Sequence, residues 1–408
     1  MDFNDTPAEA AFRRQVRAWL DTHAHPRRSR EDAFGAGLDP AAYLAAARAW
    51  QAGKAAAGYA AITWPQAMGG RGGTPAQQAI YDEEEARFLV PGHVFEVSLG
   101  TALPTVAMWG TPAQKQRHIA PALRGEQIWC QLFSEPAAGS DIGNLRMRAR
   151  REGDGWILSG QKVWTSGAHF ADFGVLLART DPDRPKTRGL TMFLLDMRAP
   201  GVEVRPIRQA SDEAHFNEVF LTDVWIPDSD RLGPEGEGWK VMLGTLMQER
   251  FSLGRNFAGD LHAELIGLAR TAQWGGRPAI EDARVRAGIA HTWLSQFGVE
   301  LIVRRGASAI SRGQSPGPEM AAIKLVGARA FQTGGALAIE LGGAEGLIAA
   351  ADLGPRWAHP QRLWLAAPGA RIAGGTDEIQ KNTIAERVLG LPGEIRTDRD
   401  VPFRQLEG

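Results

Sequence analysis

A single cysteine, Cys130, stands among the 408 residues. That excludes an intramolecular disulfide and any cysteine-rich metal site, and it fits a reducing compartment. Excess charge is lacking too, with 46 Lys and Arg against 47 Asp and Glu, so neither nucleic acid nor an anionic membrane is indicated as the main partner. No uninterrupted apolar run is long enough to span a bilayer. The opening MDFNDTPAEAAFRRQVRAWL carries acids where a signal peptide carries its positive region, and a cytoplasmic location is the expectation. Internal repeats, low-complexity tracts and coiled-coil heptads are missing. No G-x-G-x-x-G follows a strand-like run, which speaks against a nicotinamide enzyme.

What is present reads as three successive regions, in a chain long enough for two or three well-buried domains. From Thr6 to about Gly125, apolar residues recur at helical spacing, as in Ala11, Phe12, Val16, Trp19 and Leu20, and PAAYLAAARAWQAGKAAA is a strong Ala-rich helix former. In WGTPAQKQRH, Thr111 and Pro112 supply an N-cap followed by proline at the first helical position. Between about Glu126 and Asp230 the period changes to two, and GWILSGQKVWTSG, DFGVLLART, GLTMFLLDM, GVEVRPI and NEVFLTDVWIP read as strands. From GEGWKVMLGTLMQERFSLGR onward the helical period returns in long segments, which implies an antiparallel bundle. The expected fold class is therefore α+β and multidomain. It comprises an N-terminal α-helical domain over 1–127, a middle antiparallel β-barrel or sandwich domain over 128–232, and a C-terminal four-helix bundle over 233–408.

Two stretches place polar groups at strand ends. In WCQLFSEPAAGSDIGN, a β-like run ends in Ser134, Glu135 and Pro136 and passes into a turn with Gly139, Ser140 and Asp141. Such a turn gathers backbone N–H groups and hydroxyls and suits a planar polar ligand or a phosphate, although ordinary loops share this composition. In GQKVWTSGAHFADF, Trp164 can lie against an aromatic ring, and the Thr165 and Ser166 hydroxyls can donate to a ring nitrogen. The plainer alternative there is a core Trp and a capped turn.

Taken with GGTDEIQKNTIAERVLGLP, these stretches resemble, in order and spacing, the acyl-CoA dehydrogenase family. The first is similar to that family's EP-x-x-GSD segment, the second to its Trp-plus-hydroxyl segment, and the third to its Gly-Thr and EIQ turn. The likeness runs from WGTPAQKQRHIAPALRGE to VLGLP. It implies non-covalent FAD, bound where the β-domain meets the bundle. It also implies a homodimer or homotetramer, or a heteromer with a sister subunit, that completes the flavin site across a subunit contact. Carried over residue by residue, Gln131, Phe133 and Ser134 touch the isoalloxazine ring, and Ser140 sits between flavin and the CoA moiety. Trp164 packs on the flavin, Ser166 bonds near its N5, and Thr376 and Glu378 hold the ribityl or phosphate end. Arg250 and Gly375, with Ser140, are expected at the substrate.

The implied chemistry is α,β-dehydrogenation of an acyl-CoA thioester, with an electron-transfer flavoprotein as redox partner. A carboxylate must take the α-proton. In many members it is a Glu immediately before the Gly-Thr of the turn, and here that place is Gly374. The family's second location for the base is the first helix of the bundle, where LMQERFSLGR carries Glu249 followed by Arg250 among apolar residues. Glu249 is thus the expected base. Gly374 keeps its backbone N–H, which the resemblance implies helps polarise the thioester carbonyl, and its small size leaves room for a branched or ring-bearing acyl group.

Two places depart from the family pattern. Thr271 stands where an Arg-x-x-Phe segment would carry its arginine, with Trp274 at the aromatic place and Arg270 one residue off, and Ile339 stands where a Gln precedes Gly-Gly. These features resemble a bacterial subgroup in which some members pair unlike subunits. A non-catalytic subunit of such a heteromer and an acyl-CoA oxidase on the same fold remain alternatives. His23 and His25 lie in a polar linker, and no metal is expected.

Overall fold

The computed structural model describes residues 5–406 except 29–33, 36, 93, 258–260, 313, 315–316, 349–354, 396 and 399. Along 248–257, 307, 310–311 and 355–359 the side chains are also outside the description. The chain divides into two compact units: Met1–Arg208 with Ala214–Thr245 and Arg396–Gly408, and Gln209–Glu213 with Leu246–Ile395.

In the first unit, a Thr-Pro-Ala-Glu/Gln cassette recurs at three helix starts. Thr6, Thr74 and Thr111 cap α1 (Pro7–His23), α3 (Pro75–Glu85) and α5 (Pro112–Leu123). Each forms a reciprocal capping box with Glu9, Gln77 or Gln114, so that two orphan N–H groups are satisfied at once. Asp39 caps α2 (Pro40–Ala56), and α4 spans Leu103–Trp109. The apolar stripe of α1 buries Phe12, Val16 and Leu20 against Tyr59, Ile62, Ile80 and Tyr81. Beside them, fully buried Glu84 accepts from Arg13 and Arg17. His23 stacks on Trp19 at 4.7 Å, with Nδ1 2.8 Å from the Trp19 carbonyl.

The same unit holds an eight-stranded sheet. Its strands are β1 (Trp129–Leu132), β2 (Arg148–Glu152), β3 (Gly155–Lys162), β4 (Phe173–Arg179), β5 (Leu190–Asp196), β6 (Val202–Ile207), β7 (Phe216–Pro227) and β8 (Arg231–Leu232). They lie in the order β8-β5-β4-β2-β3-β7-β6, with β1 also on β4. The pairing is antiparallel except where β1 and the first residue of β2 meet β4, and these contacts are parallel. The core behind the sheet contains Leu132, Met147, Trp156, Leu158, Phe193 and Leu221.

This parallel arrangement positions the first motif. β1 pairs Leu132 with Leu176, and β2 resumes at Arg148 opposite Arg179, so both strands occupy one side of β4. Residues 133–147 advance only from Leu176 to Arg179 along their neighbour. Most of that segment must therefore leave the sheet as a projecting loop.

In the second unit, α9 (Ala321–Gly342) packs against α7 (Leu261–Thr271), α8 (Ala283–Ser311), α10 (Pro355–Ala370) and α11 (Asp377–Arg387). Leu261, Leu265, Leu268, Val285, Ile289 and Ala338 form its core. α6 (Gly238–Phe257) begins in the first unit and continues in the second. Among the described residues, no helix is long and apolar enough to cross a membrane.

Candidate active site

The projecting loop is held at its base by a buried ion pair. Lys162, fully buried at the end of β3, donates from Nζ to Glu135 Oε1 at 2.8 Å and to the Phe133 carbonyl at 3.0 Å. The Glu135 carboxylate also accepts the N–H groups of Arg146 at 2.6 Å and Met147 at 3.0 Å, which ties the two ends of the loop together. Burial pushes the Lys162 ammonium down, against the raising pull of Glu135. Above this anchor Ser140 and Asp141 are exposed, Gln131 and Ser134 are half-buried, and Phe133 is buried with its carbonyl already engaged by Lys162.

The second motif adjoins the first, because the Val163 N–H donates to the Ser134 carbonyl at 3.0 Å. Trp164 follows in the left-handed region at φ 60, although its side chain is large. For a residue with a Cβ that conformation costs about 1–2 kcal/mol. It is held from its C-terminal side, where the Thr165 N–H donates to the Asn217 carbonyl and Asn217 Nδ2 donates to the Thr165 carbonyl. The backbone is thus strained to present an indole that is 60 % exposed. Next to it the Thr165 hydroxyl is buried and has no hydrogen-bond partner, and the Ser166 side chain is half-buried.

In the helical unit, Gly374 at φ 62 and Gly375 at φ 85 shape the turn into α11. A Cβ on Gly375 would stand 2.8 Å from Gln380 Nε2, and that nitrogen donates to the Gly374 carbonyl at 2.8 Å. A carboxylate-bearing residue at 374 would have to adopt the same left-handed backbone. Thr376 caps α11 by accepting the Ile379 N–H. Asp377 is buried and takes Arg371 Nε at 2.7 Å and Lys324 Nζ at 3.2 Å. Burial disfavours the Asp377 charge, but these hydrogen bonds outweigh it and hold the carboxyl below its ordinary value. Arg371, Gln332, Thr376, Asp377 and Glu378 border a concavity of about 240 Å³ at this helix N-terminus, where the Arg371 guanidinium is shared with Asp377. The Gln380 Oε1 is buried without a partner.

The expected site residues thus fall into two local groups. Gln131, Phe133, Ser134, Ser140, Trp164 and Ser166 belong to the sheet-bearing unit, while Gly374, Gly375, Thr376 and Glu378 belong to the helical one. Glu249 and Arg250 lie on α6, but their side chains are outside the described residues. Sequence reasoning missed Lys162, Asp377, Lys324 and Gln380. The signal was available in part: Lys162 is the one cation of β3, and Lys324 is one of two cations in the largely apolar α9. Of the departures noted above, Trp274 stands beneath the Arg284 guanidinium and Arg270 is exposed.

Models of the acyl-CoA dehydrogenase N-terminal, middle and C-terminal domains match residues 6–126, 130–224 and 236–389. The chain belongs to the acyl-CoA dehydrogenase family. Acyl-CoA dehydrogenase IpdE1 of Mycobacterium tuberculosis is 37% identical over 94% of this chain and 98% of its own length. Acyl-CoA dehydrogenase FadE34 of the same organism is 40% identical over 82% of this chain, and the match spans 45% of FadE34. Among solved structures, the Tcur3481-Tcur3483 steroid ACAD superposes with a TM-score of 0.79 at 26% identity, covering 97% of this chain and 100% of that one. The ChsE4-ChsE5 complex from Mycobacterium tuberculosis gives 0.78 at 26% identity, covering 97% and 100%. The enzyme class is accordingly that of an acyl-CoA dehydrogenase, a family that generally binds FAD.

Proposed function

We propose that this acyl-CoA dehydrogenase binds FAD and removes the α and β hydrogens of an acyl-CoA thioester, with Glu249 as the base. The observation that carries the cofactor reading is the strained, exposed Trp164 beside the unpartnered Thr165 hydroxyl. An indole face and a buried donor are what a planar heteroaromatic ring with ring nitrogens would use. Gln131, Ser134 and Ser166 would complete contacts to that ring, with the buried Phe133 contributing backbone. In the helical unit, Thr376, Glu378 and the orphaned Gln380 oxygen suit the hydroxyl-bearing and phosphate portions. FAD held there would supply the acceptor for the β-hydride, with an electron-transfer flavoprotein as the oxidant that regenerates it.

The chain's own residues do the rest. The Glu249 carboxylate accepts the α-proton, and the Gly374 N–H donates to the thioester oxygen, which acidifies that proton. Ser140 and Arg250 orient the substrate, and Gly374, lacking a side chain, leaves room beside the acyl chain. A ring-bearing acyl group would use that room, in keeping with the likeness to a steroid ACAD.

Replacing Glu249 by Gln keeps shape and removes proton acceptance. Flavin bleaching by the best substrate of an acyl-CoA panel is expected to slow about a hundredfold or more, roughly 3 kcal/mol of transition-state stabilisation. A near wild-type rate would overturn the assignment. A second reading, a subunit active only beside a sister chain, is favoured by the two-chain solved relatives and by Thr271 and Ile339. A homogeneous but colourless protein after purification alone, turning yellow with a co-expressed sister chain, would select it.

A further inference from the structure

Residues 400–406 contribute nothing to the proposed site, yet they fold back onto the sheet-bearing unit and meet Arg179, which in turn holds the loop that carries Ser140. The Phe403 N–H donates to the Arg184 carbonyl at 2.9 Å, and the Arg404 N–H donates to the Pro182 carbonyl at 3.0 Å. Pro402 bridges to Pro185, and the Arg404 guanidinium pairs with Asp183. These contacts lay the segment along the connection between β4 and β5.

They also seat the Phe403 ring, which is 3 % exposed, over the guanidinium of Arg179 at 3.4 Å from its centroid. Arg179 is the last residue of β4 and is 4 % exposed. Its Nη2 donates to the Gly143 carbonyl at 2.7 Å, its Nε to the Leu145 carbonyl at 3.1 Å, and its Nη1 to the Lys186 carbonyl at 3.2 Å. Lys186 adds a second tie, bridging Asp141 at 3.1 Å and Asp398 at 2.5 Å. A guanidinium is a rigid planar fork, so a ring on its face fixes the plane while its edge stays free for carbonyls. The loop therefore has two fastenings: Glu135 and Lys162 close its base, and Arg179 grips its far limb.

We propose that Phe403 and Arg179 are positioning residues for acyl-CoA. The segment 400–406 acts as a strap that sets the guanidinium, the guanidinium sets residues 141–145, and those residues set Ser140. This rests on the reading that Ser140 meets the CoA moiety. The strap holds the loop in the enzyme before any ligand arrives, so its contribution falls on binding and not on the chemical step.

The test compares wild type with Phe403→Ala, Phe403→Leu and Phe403→Tyr. Leu keeps apolar bulk without a π-face and serves if the Ala variant fails to fold, and Tyr restores the ring. Amides of residues 141–147 are expected to exchange about tenfold faster in Phe403→Ala while those of β5 and β7 stay unchanged. The Kd for coenzyme A is expected to rise about tenfold, with kcat for the best acyl-CoA of a panel within about twofold of wild type. Phe403→Tyr should return both to near wild type. Unchanged exchange in the loop overturns the strap. Faster exchange with unchanged coenzyme A affinity overturns the positioning role, and Ser140→Ala then locates the failure. If that variant weakens coenzyme A binding, the loop touches CoA but does not need the strap. If it does not, the placement of Ser140 is wrong and both inferences fall.

Discussion

The two loops proposed to hold the ligand rest on the same device, built differently. In the sheet-bearing unit, Glu135 anchors the loop from beneath through Lys162, which is fully buried and has no route to water. In the helical unit the anchoring acid, Asp377, is the first residue of α11 and shares two cations, one of which, Arg371, keeps about a third of its side chain exposed. The sheet-bearing unit also puts its left-handed backbone on Trp164, whereas the helical unit puts it on Gly374 and Gly375. The first loop places a large side chain in the left-handed region, and the second places glycines there.

That contrast can be broken most sharply at Lys162. Lys162→Met leaves the Glu135 carboxylate buried without its cation and is expected to destabilise by about 3–5 kcal/mol, read from urea unfolding. Adding Glu135→Gln should recover only part of the loss, since it removes the buried charge but its single amide oxygen can replace just one of the two carboxylate oxygens that accept the Arg146 and Met147 N–H groups. Asp377→Asn should cost less, about 2 kcal/mol, because Arg371 can turn to solvent and the buried Lys324 keeps the Arg371 carbonyl as acceptor. Its pH signature differs as well. The folded carboxyl is held below the ordinary value of 3.8, so its stabilisation is fully present above that pH and disappears as pH falls through the lowered folded value. Asp377→Asn should therefore flatten the acid limb of stability below about pH 4. A loss equal to that of Lys162→Met would erase the distinction between the two anchors.

The backbone half of the comparison predicts smaller effects. Gly375→Ala meets both the left-handed φ and the Gln380 amide and is expected to cost about 1–2 kcal/mol, seen as a lowered Tm. Trp164→Gly relieves a comparable strain at the cost of contacts that include an edge contact with Phe216. Its stability should stay within about 1 kcal/mol of wild type, while flavin retention on dialysis falls. A large destabilisation by Trp164→Gly would mean that Trp164 is a structural residue and not one displayed for a ligand.

The exposed parts of both loops were legible because turns have local chemistry. Gly139 and Ser140, the Trp164–Ser166 run and the Gly374–Thr376 turn stand out as breakers and hydroxyls at element ends. Strands between Gly155 and Pro227 stood out as short runs between breakers, alternating in β6 and β7 and apolar almost throughout in β4 and β5, and the helices stood out by their caps and apolar stripes. The anchors were not legible, since Glu135 and Lys162 are 27 residues apart and Lys324 and Asp377 are 53 apart. Nothing in one neighbourhood announces the charge that will meet it from the other.

By itself the sequence determined the succession of helical, β and helical regions, the family, and the absence of a carboxylate at position 374. These depend on residue type, short-range periodicity and the order of motifs, all of which the linear chain carries. Only the tertiary structure decided that residues 133–147 are expelled from the sheet, because this follows from β1 and β2 sharing one side of β4. It likewise decided that Phe403 ends up on Arg179. A buried charge or a stacked ring acquires its partner through topology, and the energy of such a contact exists only once distant segments have excluded water between them.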